Sequence, residues 1–559
     1  MEKILKIFTK ESGSINQAAL LLGSLTLLSQ ILALFRDRSI AHFIGPSPSL
    51  DAYYAAFRVP DLIFICIASL ASITVIIPFL IARMDGDKVT PEARKYLNDI
   101  FTVFLSLMVL VSLLAFFLMP RLIPLIAPGF NPFYQEEVIM LSRIMLLSPI
   151  LLGLSNLFGT VTQLFRKFFI YSLSPIFYNL GIIAGVIFLY PFFGIYGLGL
   201  GVVFGALMHF GVQAIASRSC GFMPKFSFSI NFRDIKQAAL ISLPRTLGLT
   251  FNNIALISII AMASFLKSGS ISIFNLSLNL QSVPLNIIGI SYAVAAFPSL
   301  AKSFGGGQKD EFKKYLKTAG RAIVFWSLPV IFLFIVLRAQ IVRVILGSGS
   351  FSWNDTRLVA ASLAIFSVSI LAQGMIALLS RSYYAIGNTR RPLIVNLFSS
   401  VLIIILSYFL IYLFENVLLF RFFIESMLKV GDIPGTEVLM LPLAYSIGTI
   451  LNFVLHWVSV KKDFMPEESF ITKTFFQGLG ASFFLGLPAY LCLNILSPVF
   501  GTTTFWGIFL QGFISGIMGI AAAVLVLYLL GNEELKNLAQ ALTSKFWRAK
   551  IIAPAQEEL

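Results

Sequence analysis

The sequence predicts an all-α, polytopic membrane protein: about fourteen transmembrane helices, forming two parallel six-helix lobes plus two C-terminal helices. Three observations carry this. The 559 residues are 58% hydrophobic and 12% charged, with a mean hydropathy of +0.89, whereas soluble domains carry about 25% charged residues. Apolar runs of bilayer-spanning length, roughly 20 residues, recur along the whole chain. Lysine and arginine collect in alternate loops, and short motifs return at an offset near 220 residues.

The candidate spans lie near 17–44, 52–82, 98–127, 136–163, 169–191, 194–216, 237–265, 270–301, 318–346, 356–383, 393–414, 437–460, 472–495 and 504–530. The first follows Lys3, Lys6, Lys10 and Glu11 with no small-residue cleavage site before it, so it reads as a retained helix. Between spans, one set of loops is basic: Arg83, Lys88, Arg94 and Lys95; Arg166 and Lys167; Arg218 to Lys236; Lys302 to Lys317; Arg390 and Arg391; Lys461 and Lys462. The opposite loops "GPSPS", "YPFFG" and "SPVFGTTT" have neither Lys nor Arg. Positive charge is retained on the cytoplasmic side, so both termini are expected there, in a cell inner (plasma) membrane. The same rule accounts for the net charge of +15 without nucleic acid as a partner. Residues 415–435 are too interrupted to span and suggest an outer loop with an interfacial helix.

The repeat gives the domain plan. "QAAL" occurs at 17–20 and 237–240; "VP…IPFL" at 59–80 matches "VP…FPSL" at 283–300. "APGF" at 127–130 matches "SGSF" at 348–351, and "SPIFYN" at 174–179 matches "RPLIVN" at 391–396. Six spans per copy give the copies one orientation, as in transporters built from parallel repeats. The plan is an N-terminal lobe at 1–216, a cytoplasmic linker at 217–236, a C-terminal lobe at 237–461, and two extra helices with a tail at 462–559. Such an architecture places a substrate site near the bilayer midplane.

Charges inside the spans narrow the substrate. "LALFRDRS" at 32–39 brings Arg36, Asp37 and Arg38 into the first helix. Successive helical residues turn by about 100°, so the three cannot all face lipid. In "DAYYAAFRVPD" at 51–61, Asp51 and Asp61 flank Arg58 at helical spacings, and Pro60 breaks the helix beside it. The alternative is a set of interface anchors and structural ion pairs. Arg245 follows Pro244 in the seventh span; Asn252, Asn253, Asn275, Asn279 and Gln281 make the second lobe polar. Arginines inside a bundle suit an anionic substrate. No P-loop, nucleophile elbow or zinc-ligand spacing occurs, and the cysteines (Cys66, Cys220, Cys492) and histidines (His42, His209, His456) are scattered. The expectation is therefore a transporter, not an enzyme, with no cofactor, no metal and no disulfide framework.

"LFRDRSIAHFIG", "DAYYAAFRVPD", "PRTLG" and "SRSYYAIGNTRRPLIVNL" resemble the MurJ (MviN) family of lipid II flippases, within the multidrug/oligosaccharidyl-lipid/polysaccharide exporter superfamily. The resemblance covers about 16 to 530. It implies movement of an undecaprenyl-pyrophosphate-linked peptidoglycan precursor from the inner to the outer leaflet, in a cationic cavity, with the extra helices bordering a groove for the lipid tail. It places family site positions on Arg36, Asp37, Asp51 and Arg58. The chain departs from the family at Gln30 and Asn279, where many members carry arginine, in "ASLAS" at 68–72, which lacks glycine, and in "ALISIIAMAS", which lacks an acidic residue. The site expected is Arg36, Arg58, Arg245 and Asn279 on the substrate, with Asp37, Asp51 and Asp61 pairing charge. Partners expected are the lipid-linked anion and membrane lipids, and the chain is expected to be a monomer. A flippase for another polyprenyl-linked saccharide, or a drug or cation antiporter of the superfamily, remains as the alternative.

The loop pattern fixes a topology test. In a cysteine-free background, single cysteines at 90, 310 and 555 are shielded from an impermeant thiol reagent in intact cells, and cysteines at 47 and 500 are labelled. Labelling at 310 without permeabilisation breaks the parity of the second repeat.

Overall fold

The computed structural model describes residues 15–68, 76, 79–80, 83–84, 90–165, 167–465, 471–501 and 504–543. Among these there are helices and no strands. The first half contains α1 (Ile15–Phe43), α2 (Pro48–Ala56), α3 (Arg58–Ala68), α4 (Pro91–Ile126), α5 (Pro132–Met145), α6 (Leu147–Leu164), α7 (Phe168–Ala184) and α8 (Ile195–Ser219). Next come α9 (Phe232–Ala263), α10 (Ser270–Pro284), α11 (Ser291–Gly305), α12 (Lys309–Val336), α13 (Arg338–Leu346), α14 (Trp353–Val368) and α15 (Ile370–Ala385). The last are α16 (Arg390–Asn416), α17 (Leu418–Leu428), α18 (Met440–Phe464), α19 (Thr472–Phe500), α20 (Phe505–Leu529) and α21 (Glu533–Thr543).

Among the described residues, eleven helices are long and apolar enough to cross a membrane, twelve if α14 and α15 form one broken span. They coincide with the third to fourteenth candidate spans. The first candidate is α1, and the second is α2 and α3, its remainder lying largely outside the described residues. The protein is thus an all-α, multi-pass membrane protein, and side chains such as Leu110, Phe117, Phe188 and Ile495 stand exposed where lipid surrounds the helices. The suggested interfacial helix is α17: Leu418, Leu419, Phe422 and Phe423 are exposed on it, while Ile424, Glu425 and Leu428 are buried.

The chain forms two compact units. The first comprises residues 1–283, 345–366 and 388–452. Its helices start where the sequence provides a cap followed by proline at the first turn: Ser47 with Pro48, Thr90 with Pro91, Asn131 with Pro132. Prolines inside spans free carbonyls that side chains then satisfy. Pro60 leaves the Ala56 carbonyl without its helical donor, and Ser142 Oγ supplies one at 3.1 Å. Pro175 does the same to Tyr171, whose carbonyl accepts from Gln213 Nε2 at 3.5 Å. The residues 217–236 run along the start of α4: Asn98 Oδ1, Thr102 Oγ1 and Asp99 Oδ2 accept from the backbone N–H groups of Lys225 (2.8 Å), Ser227 (2.8 Å) and Asn231 (3.0 Å). Two loops make reciprocal contacts. Gly129 N donates to Ser264 Oγ (2.9 Å) at the end of α9, and Ser350 N donates to the His42 carbonyl (2.9 Å) at the end of α1. On the surface, Arg357 forks onto Asp432 (2.7 and 2.5 Å), and these bonds hold the Asp432 carboxyl below the usual carboxylate range.

The second unit comprises residues 284–344, 367–387 and 453–559. Its core gathers Leu316, Ile323, Leu378, Leu379, Tyr383 and Val460. A second cluster, Phe325, Ala481, Leu485, Ala523 and Leu527, joins α12 to α19 and α20. Arg321 (3.1 Å) and Lys473 (3.5 Å) both reach Glu533 and tie down α21.

Small residues set the crossing of α7 and α8. A Cβ on Gly181 would lie 2.2 Å from the Gly205 Cα, and one on Gly205 would lie 2.5 Å from the Tyr178 carbonyl oxygen. Without water to drive association, such close backbone approach is what holds membrane helices together. Gly205→Val is therefore expected to cost about 1–3 kcal/mol through overpacking. Gly211, with nothing within 4 Å of its virtual Cβ, is expected to accept alanine at no more than its helix-propensity effect. Thermal denaturation of detergent-solubilised protein, followed by size-exclusion chromatography, compares the two.

Candidate functional site

The site is built in the first unit, from the ends of α1, α2 and α3 and the faces of α7 and α10. Arg36, on the last third of α1, lays Nε (2.9 Å) and Nη2 (2.7 Å) on one oxygen of Asp37. Its Nη1 donates to Asn179 Oδ1 on α7 at 3.0 Å. Asp37 is buried, whereas the Arg36 side chain keeps 20% of its surface. The arginine is thus neutralised and oriented, yet still presents an open edge. Arg38 turns elsewhere and donates to the Ile345 carbonyl at 3.1 Å.

Arg58 opens α3, one residue after the break at Phe57. Its Nη2 donates to Asn275 Oδ1 on α10 at 2.6 Å, and its buried Nε has no partner. The expected pairing with Asp51 does not form. Asp51 points to the start of α10, where it accepts from Gly269 N (2.6 Å), Ser272 N (2.7 Å) and Ser272 Oγ (2.6 Å). A carboxylate at a helix N-terminus meets both free N–H groups and the positive end of the dipole, a better match than an arginine seven residues on, beyond the break at Phe57. Asp61 faces a cavity of about 130 Å³ lined by Phe57, Phe64, Met145, Ser148 and Tyr178; among the described residues it makes no ion pair within 4.0 Å with Arg58 but attracts it electrostatically from farther off.

Of the remaining candidates, Asn279 is half-buried on α10, one turn beyond Asn275. Arg245 belongs to the α9 backbone, and its side chain lies outside the described residues. Sequence reasoning did not assign Asn179 and Asn275 to the arginines. The signal for the first was its place in the repeated Pro–Asn motif; for the second, an amide at bilayer depth. Chemically, the arrangement holds two guanidinium groups inside a membrane bundle with spare donors, the requirement for gripping a phosphate-type anion.

A family model described as lipid II flippase MurJ matches residues 40–511. The chain belongs to the MurJ family. Relatives described as probable lipid II flippase MurJ include one from Buchnera aphidicola subsp. Acyrthosiphon pisum, 29% identical over 398 residues, covering 70% of this chain and 77% of that one. Another, from Rickettsia prowazekii, is 27% identical over 394 residues, covering 69% and 76%. Among solved structures, a lipid II flippase MurJ in an inward closed conformation superposes with a TM-score of 0.69 at 22% identity, covering 93% of this chain and all of that one. An inward-facing multidrug resistance transporter of the MATE family, in the MOP superfamily, gives 0.61 at 15% identity, covering 83% and 98%. The fold is therefore that of the wider exporter superfamily, and the MurJ family is one of transporters.

The Asp51 clasp makes a prediction about stability. Asp51→Ala leaves three donors unsatisfied at the start of α10 and is expected to cost about 1–3 kcal/mol. Asp51→Asn is expected to recover less than half of that, because its amide turns a donor toward donors. Melting temperatures of the purified variants measure both, and equal melting of Asp51→Ala and the parent protein removes the clasp from the account.

Proposed function

We propose that this chain is a lipid II flippase that carries the undecaprenyl-pyrophosphate-linked peptidoglycan precursor from the inner to the outer leaflet by alternating access. One observation supports this most: Arg36 and Arg58 are held inside the bundle with donors left over. An unpaired arginine at the bilayer centre costs at least about 2.5 kcal/mol. Asp37 and Asn179 limit that cost for Arg36, and Asn275 limits it for Arg58, while the site is empty. A pyrophosphate entering such a site meets charge-assisted donors in a low-dielectric surrounding, where each contact is worth more than in water.

In this reading Arg36 and Arg58 bind the headgroup, with Arg245 and Asn279 joining them from the second repeat. Asp37 orients Arg36, and Asp51 acts on the site through α10. The lobes at 1–216 and 237–461 are parallel repeats, a reading supported by the reciprocal loop contacts: Gly129 corresponds to Ser350 and His42 to Ser264 at the repeat offset. Both termini are cytoplasmic, as the basic loops indicate, and the protein works as a monomer among membrane lipids.

Lysine variants test the assignment. An interface anchor tolerates lysine, which snorkels equally well. A phosphate-gripping arginine does not, because lysine lacks the planar fork. Arg36→Lys and Arg58→Lys are expected to insert and accumulate normally but to lose most flipping, about tenfold or more. The check is complementation of a bacterium whose own lipid II flippase is shut off, together with leaflet assays of the precursor. Full transport by both lysine variants overturns the site.

A further inference from the structure

A second polar cavity lies in the first unit, within the bundle, and the arginines do not account for it. It has a volume of about 350 Å³ and is formed by α1, α6, α7 and α8. Thr26, Gln30, Asn156, Ser172 and His209 are among its lining, and none of the lining residues is Asp, Glu, Lys or Arg. Gln30 sits midway along α1. Polar side chains at such depth usually satisfy one another or a freed carbonyl, and part of this lining does. Gln213 serves Ser174 Oγ (2.7 Å) and the Tyr171 carbonyl (3.5 Å), and Ser155 Oγ meets His209 Nδ1 (2.7 Å). The rest does not. Ser172 is 7% exposed and its Oγ has no partner. No side-chain hydrogen bond engages Gln30 or the Asn156 amide among the described residues, and the second ring nitrogen of His209 is likewise open.

We infer that this cavity is a subsite for an uncharged, hydroxyl-rich sugar attached to the pyrophosphate. The inference rests on the flippase reading above and names where the saccharide lies. Three features select this ligand. The lining is neutral, so neither an anion nor a metal cation finds a counter-charge there. It offers both donors and acceptors, through two amides, hydroxyls and an imidazole, as a polyhydroxyl ring requires. The volume is that of roughly ten waters at about 30 Å³ each, which admits one sugar ring with its substituents. Position completes the case. Asn179 accepts from Arg36 through Oδ1 (3.0 Å) and reaches Ser29 Oγ through Nδ2 (3.5 Å). Ser29 lines the cavity. One side chain thus joins the cationic edge to the neutral pocket, so a pyrophosphate on Arg36 brings its attached sugar to the pocket mouth.

The experiment compares two ligands on the full-length protein in detergent: undecaprenyl pyrophosphate, and the same lipid bearing its disaccharide-peptide. Affinities are read by native mass spectrometry. The parent protein is expected to bind the glycosylated lipid about tenfold more tightly, because only that lipid satisfies the open amides and hydroxyl. Gln30→Leu and Ser172→Ala, which removes only the hydroxyl, are expected to bring the ratio to within about twofold of unity while binding the bare lipid like the parent, which also certifies their fold. Arg36→Ala is expected to weaken both lipids together. If the parent binds the two lipids equally, or both pocket variants keep the full ratio, the cavity holds only water and the subsite is wrong. If neither lipid binds, or Arg36→Ala changes neither affinity, it is the flippase reading that fails.

Discussion

A buried carboxylate in a membrane bundle has to be met by donors, and in this protein Asp51 is met by the free N–H groups at the buried start of another helix. Its three hydrogen bonds to Gly269 and Ser272 offset part of its desolvation and have a second effect. They fix the rotation of α10 about its axis. Ser272 and Asn275 are three residues apart and share a face, so holding the first directs the second toward Arg58, which it binds at 2.6 Å. Arg58 in turn sits at the break between α2 and α3, where Pro60 prevents a continuous helix. The geometry around one candidate ligand of the substrate thus follows from a carboxylate that never contacts that arginine.

The other arginine is organised differently. Arg36 and its counter-charge are sequence neighbours, so the ion pair is local and needs little from the fold. What the fold adds is Asn179, from a helix that also carries Pro175. That proline frees the Tyr171 carbonyl, which draws Gln213 across from α8. The close approach of α7 and α8 at Gly181 and Gly205 allows a side chain that short to reach. Small residues, proline and amides therefore act together: backbone proximity permits side chains to repair what proline breaks, and the same polar groups line a cavity at bilayer depth.

The candidate site also shows where charge spacing misleads. Two carboxylates at helical intervals from Arg58 suggested a local triad. Helical spacing places groups on one face, but an acidic group takes whichever donors are least solvated and best aligned, and free N–H groups at a helix terminus qualify on both counts. Asp61 faces a small cavity beside Tyr178 and Ser148 and acts on Arg58 only as a nearby charge, without a direct ion pair.

The sequence by itself determined the solvent of this protein. Burying or exposing apolar side chains to lipid is a local cost, paid residue by residue, so the spans, a short helix in the loop at 415–435, the alternation of basic loops and the repeat were all legible. So was the presence of arginines at depth, because they interrupt apolar runs. Beyond the local Arg36–Asp37 pair, tertiary structure alone decided what those charges touch. Asp51 meets Gly269 across 218 residues, Arg36 meets Asn179 across 143 and Arg58 meets Asn275 across 217. At such separations the pairing depends on how whole helices rotate and cross, and that is set by many weak contacts summed over the bundle, which no single stretch of sequence encodes.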